Sequence, residues 1–156
     1  MNKRLLIIPF VALILFSANA HSSTSRASIE TTVAISNAGN PEKVTRIIKI
    51  TQVDNMFLPA EIAVTAGETV KFVIKNGGSR KHEMLIAPMV DLKKYAKMRR
   101  NLSEGNNPEP DFLLQLEPGE EKELVWQFIK EGAIEFACLL PGHFKTMHGI
   151  IFVERK

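Results

Sequence analysis

From Val44 onward the chain runs in short segments where apolar and polar residues alternate, separated by turn-forming residues. Val70, Phe72 and Ile74 form one such alternation. Leu124, Trp126 and Phe128 form another, with Glu123, Val125 and Gln127 facing the opposite way. A period of two is the signature of a half-buried strand. Similar runs occur at Arg46 to Thr51, Glu61 to Thr65, His82 to Ala87, Phe112 to Leu116, Ile134 to Leu139 and Gly149 to Glu154. Ala66-Gly67-Glu68, Asn76-Gly77-Gly78-Ser79 and Glu117-Pro118-Gly119-Glu120 supply turns between them. Seven or eight short strands at this spacing predict an all-β Greek-key sandwich or a barrel.

One segment changes period. In Asp91 to Leu102 the residues Leu92, Tyr95, Ala96, Arg99 and Leu102 fall at helical spacing, with Asp91 placed as the N-cap. This predicts a single helical insertion, docked on the sandwich by Leu92 and Tyr95. Its Lys93, Lys94, Lys97, Arg99 and Arg100 read as a solvated basic face. A polar stretch, Ser103 to Pro110, follows it.

The N-terminus follows another logic. Lys3 and Arg4 precede an apolar run from Leu5 to Phe16, and Ser17-Ala18-Asn19-Ala20 ends in the small residues a signal peptidase reads. Residues 1–20 are therefore predicted to be a cleaved secretory signal. Residues 21–43 are a Ser- and Thr-rich lead-in with a short edge strand at Thr31 to Ser36, and 44–156 form one domain. Removing the signal leaves eighteen Lys and Arg against seventeen Asp and Glu, a net charge of only +1. Such a balance gives no reason to expect nucleic acid as a partner. No other run is apolar enough to span a membrane.

An exported chain with one cysteine cannot form an internal disulfide, so Cys138 needs another explanation. The run Cys138-Leu139-Leu140-Pro141-Gly142-His143-Phe144-Lys145-Thr146-Met147-His148 offers thiolate, imidazole and thioether on one loop. His82, at the mouth of an apolar strand just after a turn, is the natural second imidazole. Two histidines, one cysteine and a weak methionine suit a trigonal type 1 copper site. Structural zinc sites prefer more thiolate and no thioether. A two-copper centre would need a second cysteine. No Ser-His-Asp set or carboxylate pair stands out, and the expectation is a protein that is not an enzyme.

The loop resembles that of the cupredoxin family, in its azurin-like form. Asp54-Asn55-Met56-Phe57, Ala60-Glu61-Ile62, Gly67-Glu68-Thr69-Val70 and Lys81-His82-Glu83 are similar to the same family over roughly Glu42 to Lys156. The likeness is greatest to small periplasmic copper-tolerance members. It implies one mononuclear copper with His82 and His143 as equatorial ligands, Cys138 as the thiolate and Met147 as the axial thioether. His148, next in the chain, is the competing axial donor. The implied role is periplasmic one-electron transfer by a monomer, with a redox or copper-handling protein as partner. The alternative is a buffer or chaperone for Cu(I). Glu83 is read either as a brace to the loop around Thr146 or as a solvated carboxylate. Met56, Met84 and Trp126 are read as core, and His21, with no further ligand near it, is not assigned to a copper site.

Overall fold

In the computed structural model, residues 34–101 and 109–156 are described. The predicted signal, His21 and most of the 21–43 lead-in lie outside them. Ten strands and one helix follow in order: β1 (Ser36–Ala38), β2 (Arg46–Val53), β3 (Met56–Leu58), β4 (Glu61–Thr65), β5 (Thr69–Asn76), β6 (His82–Ala87), α1 (Met89–Asn101), β7 (Leu114–Leu116), β8 (Glu121–Phe128), β9 (Gly132–Ala137) and β10 (His148–Glu154). The count exceeds the expected seven or eight because the edge strand of the lead-in adds β1 and because the three-residue β3 is too short to show a period. The edge strand falls at Ser36–Ala38, where it pairs with β8. No described helix is long and apolar enough to cross a membrane.

The strands form two five-stranded sheets, ordered β1-β8-β5-β2-β3 and β4-β10-β9-β6-β7. Both are mixed: β2 runs parallel to β5 and β4 parallel to β10, while the other pairs are antiparallel. The alternating residues fill the space between them. Ile50, Phe72, Ile74, Leu124, Trp126 and Phe128 of one sheet share a core with Ile62, Val64, Ile86, Ile134, Phe136, Ile151 and Val153 of the other. Phe72 meets Phe128 edge-on at 6.3 Å between ring centroids, and Phe57 meets Phe136 at 5.0 Å. Edge-to-face geometry of this kind adds to what area burial alone supplies.

Helix α1 starts two residues before Asp91, so Asp91 is not its N-cap. The Asp91 and Leu92 amides bond to the Pro88 carbonyl, and the Met89 amide donates to Glu135 Oε2 of β9 at 3.1 Å. A carboxylate from a neighbouring strand thus meets the positive end of the helix, where negative charge is favoured. As expected, one face is apolar: Leu92 and Ala96 pack with Leu85, Ala137 and Leu139, with Tyr95 and Phe144 alongside. This fixes the helix against β6 and β9, the two strands that lead into and out of the predicted metal pole.

Candidate metal centre

Cys138 follows β9 directly, and His148 opens β10, so the ten residues between them form one closed loop. The loop is pinned by its own backbone. The Cys138 amide donates to the Met147 carbonyl at 3.0 Å, and the His143 carbonyl accepts from Thr146 and Met147. Within it the His143 amide bonds back to the Leu140 carbonyl at 3.0 Å, and Gly142 sits at φ +85°. Proline then glycine at the two central positions of a turn, with positive φ at the second, is the type II pattern. The turn folds His143 back over Cys138, and Nδ1 stands 3.5 Å from Sγ.

His82, the first residue of β6, comes to the same place from the other side of the sequence. Its ring centroid is 5.2 Å from that of His143. One donor atom each from His82, Cys138 and His143 lies within 4.8 Å of the others. The sequence spacing predicted this convergence. Met147 is fully buried in the core cluster that also contains Cys138, whereas His148 is exposed. The alternation of the strand that begins here turns the two neighbours to opposite sides.

The His82 imidazole is fixed by a partner that sequence reasoning missed. Its Nε2 lies 3.0 Å from Asp54 Oδ1, while its Nδ1 is buried with no partner among the described residues. Asp54 in turn accepts from the Ser79 hydroxyl at 2.6 Å and from the Ser79 amide. The Ser79 hydroxyl, and then His82, hold the Asp54 carboxyl well below the usual carboxylate range. An ionised carboxylate on Nε2 makes that nitrogen the donor and leaves Nδ1 with a free lone pair, the arrangement commonly found behind metal-bound histidine. Gly78 makes room for it. A Cβ there would run into Asp54 Oδ1 and stand 3.0 Å from His82 Nε2. Asp54 was visible only as part of a family-like run, and Gly78 only as a turn residue.

The remaining donors are poised in the same sense. Burial, then the adjacent His82, lowers the basicity of His143, which keeps its imidazole neutral and able to ligate. Burial pushes the Cys138 thiol from its ordinary 9.0 up to about 11. A dry thiol of this kind becomes a thiolate when a cation binds and displaces its proton. The Glu83 amide already points at Sγ, 3.4 Å away.

Glu83 is neither a brace to Thr146 nor a solvated carboxylate. It is fully buried, and its Oε1 lies 2.8 Å from Nη2 of Arg99 on α1. Thr146 bonds instead to the His143 carbonyl. Arg99 therefore leaves the expected basic face and turns inward, while Lys93, Lys94, Lys97 and Arg100 remain exposed. Burial raises the Glu83 carboxyl, opposed by the Arg99 charge.

A family model described as a cupredoxin-like domain matches residues 6–105. The chain belongs to the cupredoxin family. The matched stretch takes in Asp54 and His82 and ends before the Cys138 loop, so this cupredoxin's loop geometry is an independent observation. The copper-resistant cuproprotein CopI of Rubrivivax gelatinosus is 40% identical over 69% of this chain and 66% of its own length. The protein of the same name from Pseudomonas aeruginosa is 28% identical over 92% of this chain and 93% of its own. Among solved structures, auracyanin B superposes with a TM-score of 0.63 at 18% identity, covering 76% of this chain and 94% of that one. At that identity the likeness establishes the fold.

Proposed function

We propose that this cupredoxin binds one copper ion in a type 1 site and passes single electrons by cycling it between Cu(II) and Cu(I) outside the cytoplasm. One observation carries the reading: the His82, Cys138 and His143 donors converge within 4.8 Å, with His82 Nδ1 buried and unpartnered. Two imidazoles and a thiolate, with a buried thioether nearby, match soft copper better than zinc or a hard cation. His82, Cys138 and His143 would hold the ion, and Met147 would supply the weak axial contact. The bound ion supplies a one-electron couple. The chain's part is to keep the donors fixed, since small rearrangement between oxidation states makes transfer fast. Asp54 holds one imidazole, the type II turn holds the other, and burial keeps water from the sulfur.

A groove of about 330 Å³ runs beside the loop between Leu139, Leu140, Phe144 and Ala96, with Arg100 and Lys145 on its lining. An apolar patch edged by cations suits brief docking of an acidic redox protein to a monomeric carrier. A second reading, a Cu(I) buffer or chaperone in copper tolerance, is favoured by the names of the CopI relatives. In neither reading is the chain an enzyme.

The test is to add Cu(II) to the purified apoprotein and record visible and EPR spectra. An intense thiolate-to-copper band with narrow hyperfine splitting is expected, and Cys138→Ser must abolish it. A band that survives that change refutes the ligand set. Rapid electron exchange with a small redox protein, copper retained, supports the carrier; surrender of copper to a protein acceptor supports the buffer.

A further inference from the structure

Outside the donor set, the described residues contain one ion pair withdrawn from solvent beside a ligand. Glu83 is fully buried, the Arg99 side chain is 16% exposed, and their closest atoms are 2.8 Å apart. The pair is incompletely satisfied among the described residues: both Glu83 oxygens and Arg99 Nη1 lack a well-aligned hydrogen bond there. Desolvating two charges in this way is a poor route to stability, and apolar residues of similar volume often serve as well or better. Its position suggests what it does instead. Glu83 follows His82, and its amide donates to Cys138 Sγ at 3.4 Å. Its carbonyl accepts from Gln52 Nε2 at 3.0 Å. The β6–β9 pairing begins at Leu85 opposite Ala137, so the Glu83 amide lies beyond that ladder and reaches the sulfur. Its main chain is held by Gln52 and by pairing with Gln115 of β7, and among the described residues its side chain meets one ion-pair partner, Arg99.

Resting on the copper reading above, we infer that Arg99 is a positioning residue: through Glu83 it holds an amide against the Cys138 sulfur and so sets how strongly that sulfur donates to the ion. An N–H aimed at a thiolate withdraws charge from it. The oxidised ion depends on that charge more than the reduced ion does, so the bond favours Cu(I). Helix α1, fixed to β6 and β9 by Leu92 and Ala96, then acts as the rigid mount from which Arg99 reaches inward.

The experiment compares the full chain with Arg99→Met, Arg99→Lys and Glu83→Gln. In the copper-loaded proteins, Arg99→Met is expected to shift the thiolate band. It should also lower the potential by the equivalent of about a tenfold change in relative Cu(I) affinity, about 59 mV for a one-electron couple. Arg99→Lys, which keeps the charge, should recover most of the shift. In the apoproteins, alkylation of Cys138 by iodoacetamide should quicken about tenfold in Arg99→Met and return towards wild type in Arg99→Lys, as expected when a local anchor loosens. Wild-type band, potential and alkylation rate in a folded Arg99→Met overturn the inference. Should Arg99→Met fail to fold, Glu83→Gln takes its place with the same expectations and the same refutation. Failure of the wild type to take up copper would refute the proposed function, and the alkylation series would still decide the anchoring role of Arg99.

Discussion

Phe72 and His82 are both completely buried, yet their surroundings follow opposite rules. Around Phe72 the two sheets interlock apolar side chains, and the groups that meet there ask nothing of one another beyond shape. Around His82 the chain buries an imidazole, a carboxylate, a thiol and an amide side chain. Several of their polar atoms are left without partners, among them His82 Nδ1 and Gln52 Oε1. Interiors normally avoid such orphans, because each costs about 1–3 kcal/mol. The contrast shows that the sandwich supplies the free energy and the pole uses part of it. The pole leaves polar atoms unpartnered among the described residues, beside three convergent donors.

That contrast can be broken from either side. The largest effect on stability belongs to the sheet centre: Phe72→Ala should lower the unfolding free energy by about 3–5 kcal/mol. Urea denaturation measures this, and copper binding per folded molecule should stay unchanged. Next comes the apoprotein thiol. Its neutral form is favoured in the fold, so the associated stabilisation is complete below pH 9.0 and is lost as pH rises towards about 11. About 2 kcal/mol should vanish across that window in the wild type, and none of it in Cys138→Ala. Denaturation curves of the two proteins at both ends of the window decide the matter. Asp54→Ala should weaken copper binding by about 10–100-fold and lower apoprotein stability by about 1–3 kcal/mol, because it removes the support behind a ligand and leaves a buried imidazole N–H without a partner. Gly78→Ala should reproduce that loss by displacing the same carboxylate, which competition with a copper chelator would detect. The smallest effect is expected at the exposed Arg155–Glu131 pair, 2.9 Å apart. Glu131→Gln should leave the denaturation midpoint unmoved, as solvent screens such pairs.

The sheet centre was legible from sequence because alternation is a local signal. Val70, Phe72, Ile74, Leu124, Trp126 and Phe128 all point inward as their spacing predicted. The donors were legible for another reason: three sit within ten residues, and the chain offers few histidines and one cysteine. What escaped was the support behind them. Asp54 reaches His82 across twenty-eight positions, and no periodicity links a turn aspartate to a strand-end histidine. Arg99 falls at the spacing of Leu92, Tyr95 and Ala96, but its charge grouped it with its lysine neighbours, and only the docked helix shows its buried partner. The start of α1 was displaced because its N-terminal partner, Glu135, lies on a strand forty-six residues away. Local rules located the elements and the donors, and long-range polar partners set their details.

Strand β10 follows the donor loop and lies inside its sheet, between β4 and β9. Until it inserts there, the Met147 carbonyl that closes the loop has no fixed place, and Cys138 has no dry setting. Residues as distant in the chain as Asp54 and Cys138 therefore share one cage, and that cage is complete only when β10 pairs with both β4 and β9.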